Sequence, residues 1–368
     1  LNDTILLDLF TDIQYKAQIE KISIDINGTT MIRARLTDSE YGYCWISTFE
    51  GKSMIRIDVP ESNESYASSY DQATDTYYLL QVDKEKEDIL EGGPSIIPPA
   101  DSLQTDSPKK KQDTNVKSSG AGNNAITEGL EDGPIIPGDE FSQDTITLLI
   151  VYTPAAANWS SSNEISINNT ISMLMDRAQL SLDNSNTLLT LELVHSAQVA
   201  YTEASASTDL SRLRNTSDGH MDIVHDWRDA YAADVVVLLE LTNEVGGIGY
   251  LLNSLSGAPT YAFSLTRVQQ AGSTYTTIHE IGHNMGCHHH KEQNFQAGPG
   301  IFSYSAGWRW TGADSEYYCS VMTYESGSYF TDGITHTRVA HFSNPDINYQ
   351  SVSTGDAADG DNAWTVRQ

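Results

Sequence analysis

The sequence predicts an α+β protein, in which a small all-β module precedes a linker and a larger mixed α/β domain. Residues 1–90 contain short β-rich runs separated by turn signals such as Asn27-Gly28. Residues 91–143 are rich in Pro, Gly, Ser, Asp and Asn, a composition typical of linkers. Residues 144–368 alternate between strand and helix patterns.

The β-rich runs of the first module predict five strands: Ala17 to Ile26, Met31 to Leu36, Tyr41 to Phe49, Ser53 to Val59 and Thr76 to Asp83. In the larger domain the patterns predict a long helix and several strands. The helix is Asn163 to Asn186, and the main strands are Thr145 to Thr153, Leu188 to Tyr201, the continuously apolar central strand Asp234 to Leu241, and Thr260 to Val268 at an edge.

The charge balance excludes two classes of partner. The 368 residues include 21 Lys and Arg against 50 Asp and Glu, a net charge of −29. Phosphates and anionic lipids are recognised by clustered Lys and Arg, so we expect neither nucleic-acid nor anionic-membrane binding. The longest apolar stretch, Ile146 to Ala157, is too short to span a bilayer. Apolar residues still make up 39% of the chain, enough for a packed core.

The composition also bears on compartment. The chain begins at Leu1 without a basic leader, so a signal peptide has either been removed or is not included. The acidic, Ser/Thr- and Asn-rich character suits a secreted protein, which we expect to be a monomer. Such a surface would suit calcium, although no contiguous calcium-loop pattern is present.

The linker contains a near-repeat. LEGGPSIIP at residues 90–98 is followed by LEDGPIIP at residues 130–137. One interpretation is a duplicated linker sequence in extended form, and the other is that one copy docks in a groove. A basic run, Lys109-Lys110-Lys111, separates the copies and is either an exposed activation site or a solvated stretch.

The strongest motif is a metal-binding pattern. Residues 279–289, HEIGHNMGCHH, match H-E-x-x-H-x-x-G-x-x-H. Helical residues four apart differ by about 40° around the axis, so His279 and His283 can bind one ion. Gly286 can adopt a positive φ and end the helix, which lets His289 reach the same ion. Three imidazoles and water form a zinc site with one open position.

This arrangement suits hydrolysis. Zinc lowers the pKa of bound water toward about 7 and polarises a carbonyl. Glu280 is rotated by about 100° from His279, beside the ion, where it can act as general base and later protonate the leaving amine. The pattern therefore predicts a zinc-dependent peptide-bond hydrolase that acts on proteins or peptides.

The motif resembles that of the metzincin metalloproteases, in which a Met-containing turn follows. The segment SVMTY at residues 320–324 looks like that turn. The resemblance implies a mixed, mainly parallel twisted sheet with an antiparallel edge strand and a long active-site helix. It also implies that Met322 forms a floor beneath the imidazoles. Tyr324 matches the tyrosine of astacin- and serralysin-type turns, where it can approach the zinc or the tetrahedral intermediate, or it is a packed aromatic residue.

Two narrower resemblances follow. GGIGYL at residues 246–251 is similar to the segment before the edge strand of reprolysin-like enzymes, and that strand, within Thr260 to Val268, would pair with an extended substrate. HEIGHNMGC at residues 279–287 and FSNPD at residues 342–346 resemble the bacterial peptidyl-Asp metallopeptidases. That resemblance implies cleavage before Asp, for which Arg338 could pair with the Asp carboxylate, or Arg338 is a surface residue in a loop.

The three cysteines are assigned on the strength of this resemblance. If the Met turn passes beneath the zinc helix, Cys287 and Cys319 come close enough for a disulfide. Cys44 is then left over in a module that looks like an inhibitory prosegment. Its thiolate could occupy the open zinc position as a latency switch, it could be a small buried residue of a strand, or a prosegment carboxylate could act instead.

We therefore predict a secreted zinc endopeptidase made as a latent zymogen, with its own prodomain as inhibitor and activation by cleavage in the linker. The alternative is a noncatalytic zinc-containing binding or adhesion module on the same fold. Glu280 distinguishes them, because a decayed enzyme typically loses the general base.

Overall fold

The computed structural model describes residues 3–71, 73–99 and 144–368. The first part is a seven-stranded antiparallel sheet in which each strand pairs with the next along the chain. Its strands are β1 (Thr4–Phe10), β2 (Ile13–Ile24), β3 (Thr30–Leu36), β4 (Tyr43–Phe49), β5 (Lys52–Val59), β6 (Glu64–Asp71) and β7 (Thr76–Gln81). The predicted all-β module is present, with two strands more than expected, because β1 and β6 carry weak sequence signals.

The second part is built on a mixed five-stranded sheet, with helices on both faces. Its strands are β8 (Asp144–Tyr152), β9 (Leu189–Gln198), β10 (Val235–Glu240), β11 (Gly247–Gly249) and β12 (Phe263–Arg267). The helices are α1 (Pro154–Asn163), α2 (Ile167–Asn184), α3 (Ala206–Arg214), α4 (Ile223–Ala230), α5 (Val268–Ala271), α6 (Thr276–Asn284) and α7 (Asn362–Thr365).

The sheet order is β11-β12-β10-β8-β9, and only β11 is antiparallel to its neighbour. This corrects the prediction that the edge strand lies within Thr260 to Val268. That segment forms β12, which is covered by β11 on one side and β10 on the other. The predicted combination of a mainly parallel sheet and one antiparallel edge strand is nevertheless present.

The central strand β10 explains the packing of both faces. Val235, Val237 and Leu239 belong to the cluster that includes α2 and α6, whereas Val236 and Leu238 belong to the cluster on the opposite face. All six residues of β10 are buried, which accounts for its uninterrupted apolar sequence.

The antiparallel sheet packs against helix α2 through buried polar contacts. Arg177 pairs with Asp58 at 2.9 Å, and the indole nitrogen of Trp45 donates to Asp176 at 3.1 Å. The Arg177 guanidinium also lies 4.5 Å from the centroid of the Trp45 ring. These contacts connect two segments far apart in sequence and hold the first sheet beside the second.

The C-terminal region carries short strands only. A three-stranded sheet contains β13 (Arg309–Thr311), β14 (Tyr317–Cys319) and β15 (Thr337–Arg338), and β16 (Asn348–Tyr349) pairs with β17 (Val352–Ser353). No helix in the described ranges has the length and hydropathy needed to cross a bilayer.

Candidate metal centre and its covered cleft

Helix α6 presents two histidines to one point. His279 and His283 lie one turn apart on a buried helix, and their ring centroids are 4.9 Å apart. The helix ends just beyond them, at Asn284. Gly286 then has φ +88°, and a Cβ there would lie 2.7 Å from Ile301 Cγ2. Glycine is therefore required for the turn that brings His289 back to the helix.

The three imidazoles converge. Nε2 of His289 lies 3.2 Å from Nε2 of His279 and 3.1 Å from Nε2 of His283. Each Nδ1 lies within 3.0 Å of a backbone carbonyl oxygen, to which it must donate; these carbonyls belong to Val321, Cys287 and Gln296. The Nε2 lone pairs therefore all point to the shared space.

This donor set fits zinc. Tetrahedral zinc with Zn–N bonds of about 2.0–2.1 Å separates its ligand atoms by about 3.3–3.4 Å, close to the observed spacing. Burial lowers the pKa of His279 to about 3, and it also lowers the pKa of His283 and His289. The rings are thus neutral near pH 7, as metal ligands must be. Within the described ranges, this is the group whose geometry could hold a metal ion. A calcium site stays a prediction.

Glu280 lies beside the triad and is 1% exposed. Neither of its carboxyl oxygens has a hydrogen-bond partner among the described residues. Burial raises the pKa of Glu280, although the nearby charge of Arg338 opposes that shift. A buried carboxyl group without a partner is costly unless a ligand or water completes it.

The predicted Met turn lies directly beneath α6. A Cβ added to Gly282 would be 2.5 Å from the sulfur of Met322, so the glycine permits this close approach. Tyr324 is fully buried, with its ring centroid 4.6 Å from that of His289. Both residues of the turn are therefore at the metal centre.

Arg338 lies in a buried pocket and not on the surface, which corrects the loop interpretation. Its side chain is 6% exposed, and its Nε and Nη2 donate to the carbonyl oxygen of Thr323 at 3.0 and 2.8 Å. The pocket forms one wall of a cavity of about 1010 Å³ between the antiparallel sheet and the second part of the protein.

The first copy of the near-repeat occupies the cleft over the metal centre. Its backbone pairs with edge strand β11: Gly93 N–H donates to Gly247 O at 2.6 Å, and Ile96 N–H donates to Gly249 O at 2.9 Å. Ile96 and Tyr250 form a parallel bridge, so the segment runs parallel to β11. Residues 90–96 are therefore not a free linker. The second copy, Leu130 to Pro137, and Lys109 to Lys111 lie outside the described residues.

Gly92 lies over the triad itself. A Cβ at this position would be 2.9 Å from Glu280 Oε1, 3.2 Å from the Tyr324 hydroxyl and 3.5 Å from His279 Nε2. The Tyr324 hydroxyl donates to Gly92 O at 2.5 Å. The backbone at Gly92 thus fills the space in front of the general-base candidate.

Two acidic residues hold this segment in the cleft. The Glu91 carboxylate lies 2.6 Å from Arg338 Nη2 and accepts from the backbone N–H of Glu325 at 2.6 Å. Asp88 pairs with Arg267, also at 2.6 Å. No sequence pattern indicated Asp88 or Arg267, and Glu91 was not predicted as a site residue. The repeated Leu-Glu pair of the two linker copies was a signal for Glu91.

The cysteine predictions are wrong. The Cys287–Cys319 disulfide is absent, and all three cysteines are free and buried. The Cys287 sulfur faces the carbonyl of Asn362 at 3.6 Å, whereas the Cys319 sulfur faces the carbonyl of His336 at 3.8 Å. The two thiols lie in separate environments, although Cys287 follows the expected helix and Cys319 directly precedes the expected turn.

Cys44 does not take part in the metal centre either, which corrects the thiolate-switch hypothesis. It lies in β4 between Ala34 of β3 and Ile57 of β5, within the core of the antiparallel sheet. It is fully buried there, and burial raises the pKa of its thiol to about 12. The residue over the triad is Gly92, so the small-hydrophobe interpretation of Cys44 is the one that fits.

Comparison with known proteins agrees with this geometry. The profile described as Metallo-peptidase family M12 (Reprolysin_5) matches residues 142–333, more than half of the chain. The peptidyl-Asp metalloendopeptidase of Stenotrophomonas maltophilia (strain R551-3) is 32% identical over 219 residues, which are 59% of this chain and 49% of that protein. The protein of the same name from Xanthomonas campestris pv. campestris is 30% identical over 222 residues, 60% of this chain and 49% of that one.

The chain thus spans about half the length of these relatives. Among solved structures, metalloproteinase-II from Bacteroides fragilis matches with a TM-score of 0.44 at 11% identity, over 82% of this chain and 85% of that one. That likeness is too weak to add to the assignment. The family match, the sequence relatives and the histidine geometry agree, and the chain belongs to metallo-peptidase family M12, which confirms the predicted relationship to metzincin-type zinc metalloproteases.

Proposed function

We propose that the protein is a zinc-dependent endopeptidase that is made in a latent form. The observation that carries this proposal is the Glu280 carboxylate, buried and unpartnered beside three converging imidazoles. A structural zinc site is closed by its protein ligands and does not require a carboxylate beside them, whereas hydrolysis requires a general base beside the metal.

His279, His283 and His289 would hold the zinc ion, which when bound supplies Lewis acidity to water and to a peptide carbonyl. Glu280 accepts a proton from the attacking water and returns it to the leaving amine. The Tyr324 hydroxyl, which now donates to Gly92 O, is placed to donate to a substrate carbonyl oxygen instead. Met322 supports α6 from below at Gly282.

An extended substrate would add to β11, because the backbone groups of this edge strand that face the cleft bind residues 93–96 in the latent form. Glycines at positions 247 and 249 let Glu280 lie directly against this strand, since a Cβ on Gly247 would lie 2.7 Å from Glu280 Oε1. The edge strand and the general base thus form one continuous binding surface.

We also propose a preference for an acidic residue directly after the scissile bond, read by Arg338. This proposal is supported by the chain's own Glu91, whose carboxylate is bound in this pocket by the Arg338 guanidinium and the backbone N–H of Glu325. The names of the relatives indicate the same chemistry, since both are peptidyl-Asp metalloendopeptidases.

The direction of residues 91–96 accounts for latency. Along the chain, the residue in the Arg338 pocket (Glu91) comes before the residue over the triad (Gly92). A substrate whose acidic residue follows the scissile bond must cross the cleft in the opposite direction. The segment therefore covers the centre with a backbone in reverse orientation, which resists cleavage in place.

We therefore propose residues 1–90 as an inhibitory prodomain, residues 91–143 as a linker whose first part covers the cleft, and residues 144–368 as the catalytic domain. Cleavage within the linker would release the segment. Such latency suits a protease that is inactive where it is made and acts after secretion. Recovery of the cleaved form in the culture medium would support that compartment.

The activity is tested by digestion of casein with the full chain, before and after limited proteolysis of the linker. We expect activity only after processing, its loss on zinc chelation and its return with added zinc. Glu280→Gln should retain zinc but lose at least about a thousandfold in rate. A processed protein that binds zinc and does not cleave would identify the noncatalytic alternative.

The specificity is tested with matched peptides that carry Asp or Asn after the scissile bond. We expect the processed wild type to prefer Asp by about a hundredfold and Arg338→Gln to lose that preference. Arg228→Gln is the matched control, because Arg228 also donates to backbone carbonyls, at Ala233 and Asp234, but lies on α4. Equal cleavage of both peptides by the wild type would refute Arg338 as the selector.

A further inference from the structure

The pairing of Asp88 with Arg267 marks a second carboxylate site in the cleft. Arg267 is the last residue of β12 and is 2% exposed. Its Nη2 lies 2.6 Å from Asp88 Oδ2, and its Nη1 donates to the carbonyl oxygen of Asp88. The Asp88 side chain itself is 77% exposed. The buried arginine is therefore the permanent part of the site, and the aspartate occupies it as a ligand would.

The protein holds only part of this guanidinium by itself. Nε donates to Thr242 O at 2.8 Å, and Nη2 reaches Asn243 Oδ1 at 3.2 Å. Among the described residues, the remaining acceptor of Nη1 besides Asp88 is Gln270 Oε1, at the long distance of 3.4 Å. The strong acceptors at the cleft side of Arg267 are therefore both supplied by Asp88. Their departure leaves a buried cationic group incompletely bonded, which is unfavourable.

Arg267 and Arg338 lie on the same side of the metal centre. Asp88 and Glu91 are three residues apart, so the two sites are at most about 10 Å apart along the segment. Between them the backbone is held on both sides: Gln270 bonds to Leu90 N–H and O at 3.0 Å each, and Gly246 N–H donates to Glu91 O at 2.8 Å. Gln270 and Gly246 thus line a groove that continues from the Arg338 pocket to Arg267.

We propose that Arg267 is a second specificity-determining residue, which binds an acidic side chain about three positions beyond the residue in the Arg338 pocket. The preferred substrate is then a doubly acidic peptide, with one carboxylate directly after the scissile bond and another about three residues later. Asp88 and Glu91 imitate this pair in the latent chain. The inference rests on the proposed function, because it assigns a further subsite to the same cleft.

The chemistry favours a carboxylate over other ligands. Arg presents a planar fork whose donors match the oxygens of a carboxylate, and charge-assisted hydrogen bonds of this kind are stronger than neutral ones. An Asn at the same place could accept one hydrogen bond but would leave the positive charge without a counter-charge. The site should therefore distinguish Asp or Glu from their amides.

The test uses the full chain after linker proteolysis and four peptides with Asp directly after the scissile bond. One peptide has no other acidic residue, and the others carry a second Asp two, three or four positions further on. We expect kcat/KM to rise about tenfold when the second Asp is three positions away, with smaller effects at the neighbouring positions.

Arg267→Gln should abolish this rise and leave the preference for the first Asp intact. Arg228→Gln is the matched control and should retain both. The ratio of two peptides measured with one preparation does not depend on how much of a variant is folded. A second Asp that has no effect at any position in the wild type, or a rise that persists in Arg267→Gln, would overturn the inference.

A binding measurement separates this result from failure of the proposed activity. Processed Glu280→Gln is titrated with a fluorescent peptide of residues 87–96 and with its Asp88→Asn form. We expect about tenfold weaker binding of the Asn form, and no difference between the two peptides in Glu280→Gln/Arg267→Gln. This outcome supports the carboxylate site even if no hydrolysis is ever seen, whereas equal binding of both peptides to Glu280→Gln contradicts it.

Discussion

Gly92 and Glu280 are placed so closely that no other residue type fits at position 92 without displacement. A Cβ on Gly92 would lie 2.9 Å from Glu280 Oε1, a contact shorter than side-chain carbons normally make. The segment that covers the cleft can therefore lie against Glu280 only because position 92 has no side chain. The same glycine permits the Tyr324 hydroxyl to reach the Gly92 carbonyl.

Gly92→Ala should therefore lift the segment and activate the unprocessed chain. The methyl group would also lie 3.2 Å from the Tyr324 hydroxyl, whose side chain is fixed by burial. We expect the initial rate of peptide hydrolysis by uncleaved protein to rise at least about tenfold. The same substitution in a Glu280→Gln background should stay inactive. An unchanged rate in Gly92→Ala alone would show that the segment does not control access.

Glu91→Gln should also raise the activity of the unprocessed chain. The substitution removes the charge that pairs with Arg338, where the two side chains are 15% and 6% exposed, while the shape of the side chain is kept. We expect the initial rate to rise about tenfold. A charge-assisted hydrogen bond is stronger than a neutral one by about 1 kcal/mol, so its loss weakens the binding of the segment by roughly that factor. Glu87→Gln is the control, since the ion pair of Glu87 among the described residues is a long one, 3.9 Å from Arg56. Equal rates for both variants would contradict the role of Glu91.

The parts of the site that sequence could predict are those encoded by local spacing. The pattern of residues 279–289 places two histidines on one helical face and a glycine where the chain must turn, and the structure has both features. The central strand was equally clear, because a strand buried on both faces must be apolar throughout.

The rest depends on contacts between distant residues. Glu91 and Arg338 are 247 residues apart, and no local sequence pattern indicates such a pairing. Edge strand β11 has only three residues, two of them glycines, so it lacks any β signal and forms because β12 and residues 93–96 flank it. The cysteine pairing failed because the Cys287 and Cys319 sulfurs face different backbone carbonyls, those of Asn362 and His336, which no local pattern records.

His341 should make the stability of the protein depend on pH. It is 6% exposed, its Nδ1 has no partner among the described residues, and burial lowers its pKa to about 3. In the unfolded chain its pKa is about 6.5, so the unfolded state takes up a proton first as the pH falls. The histidine therefore costs no stability above pH 6.5 and lowers it progressively from pH 6.5 toward pH 3.

At pH 5 this effect amounts to about 2 kcal/mol of unfolding free energy from His341 alone. Urea unfolding at pH 7 and pH 5 measures it, and His341→Asn should reduce the pH-dependent loss by about that amount. His220→Asn, at a position outside the buried core, is the control for the replacement of a histidine by asparagine. A pH dependence that is identical in wild type and His341→Asn would show that the ring is protonated in the folded protein.

Gly282 and Met322 should act as an energetically coupled pair that determines how closely helix α6 packs on the Met turn. A Cβ on Gly282 would lie only 2.5 Å from the Met322 sulfur, so Gly282→Ala must displace the Met322 side chain. Because Met322 is fully buried, we expect α6 or the Met turn to shift with it. We expect this variant to lose about 1–3 kcal/mol of stability and to hold zinc less tightly, because His279 and His283 move with the helix.

Met322→Ala removes the obstructing sulfur, but it leaves a cavity under a fully buried helix and should itself destabilise the protein by about 2–5 kcal/mol. In the double variant the new methyl group enters the space that the sulfur vacates. We therefore expect the double variant to be more stable than the sum of the two single losses predicts, by about 1 kcal/mol or more. Denaturant unfolding and zinc competition with a chelator measure both effects. Strictly additive losses would mean that helix and turn do not touch in solution, and Met322 would then have no part in positioning the histidines.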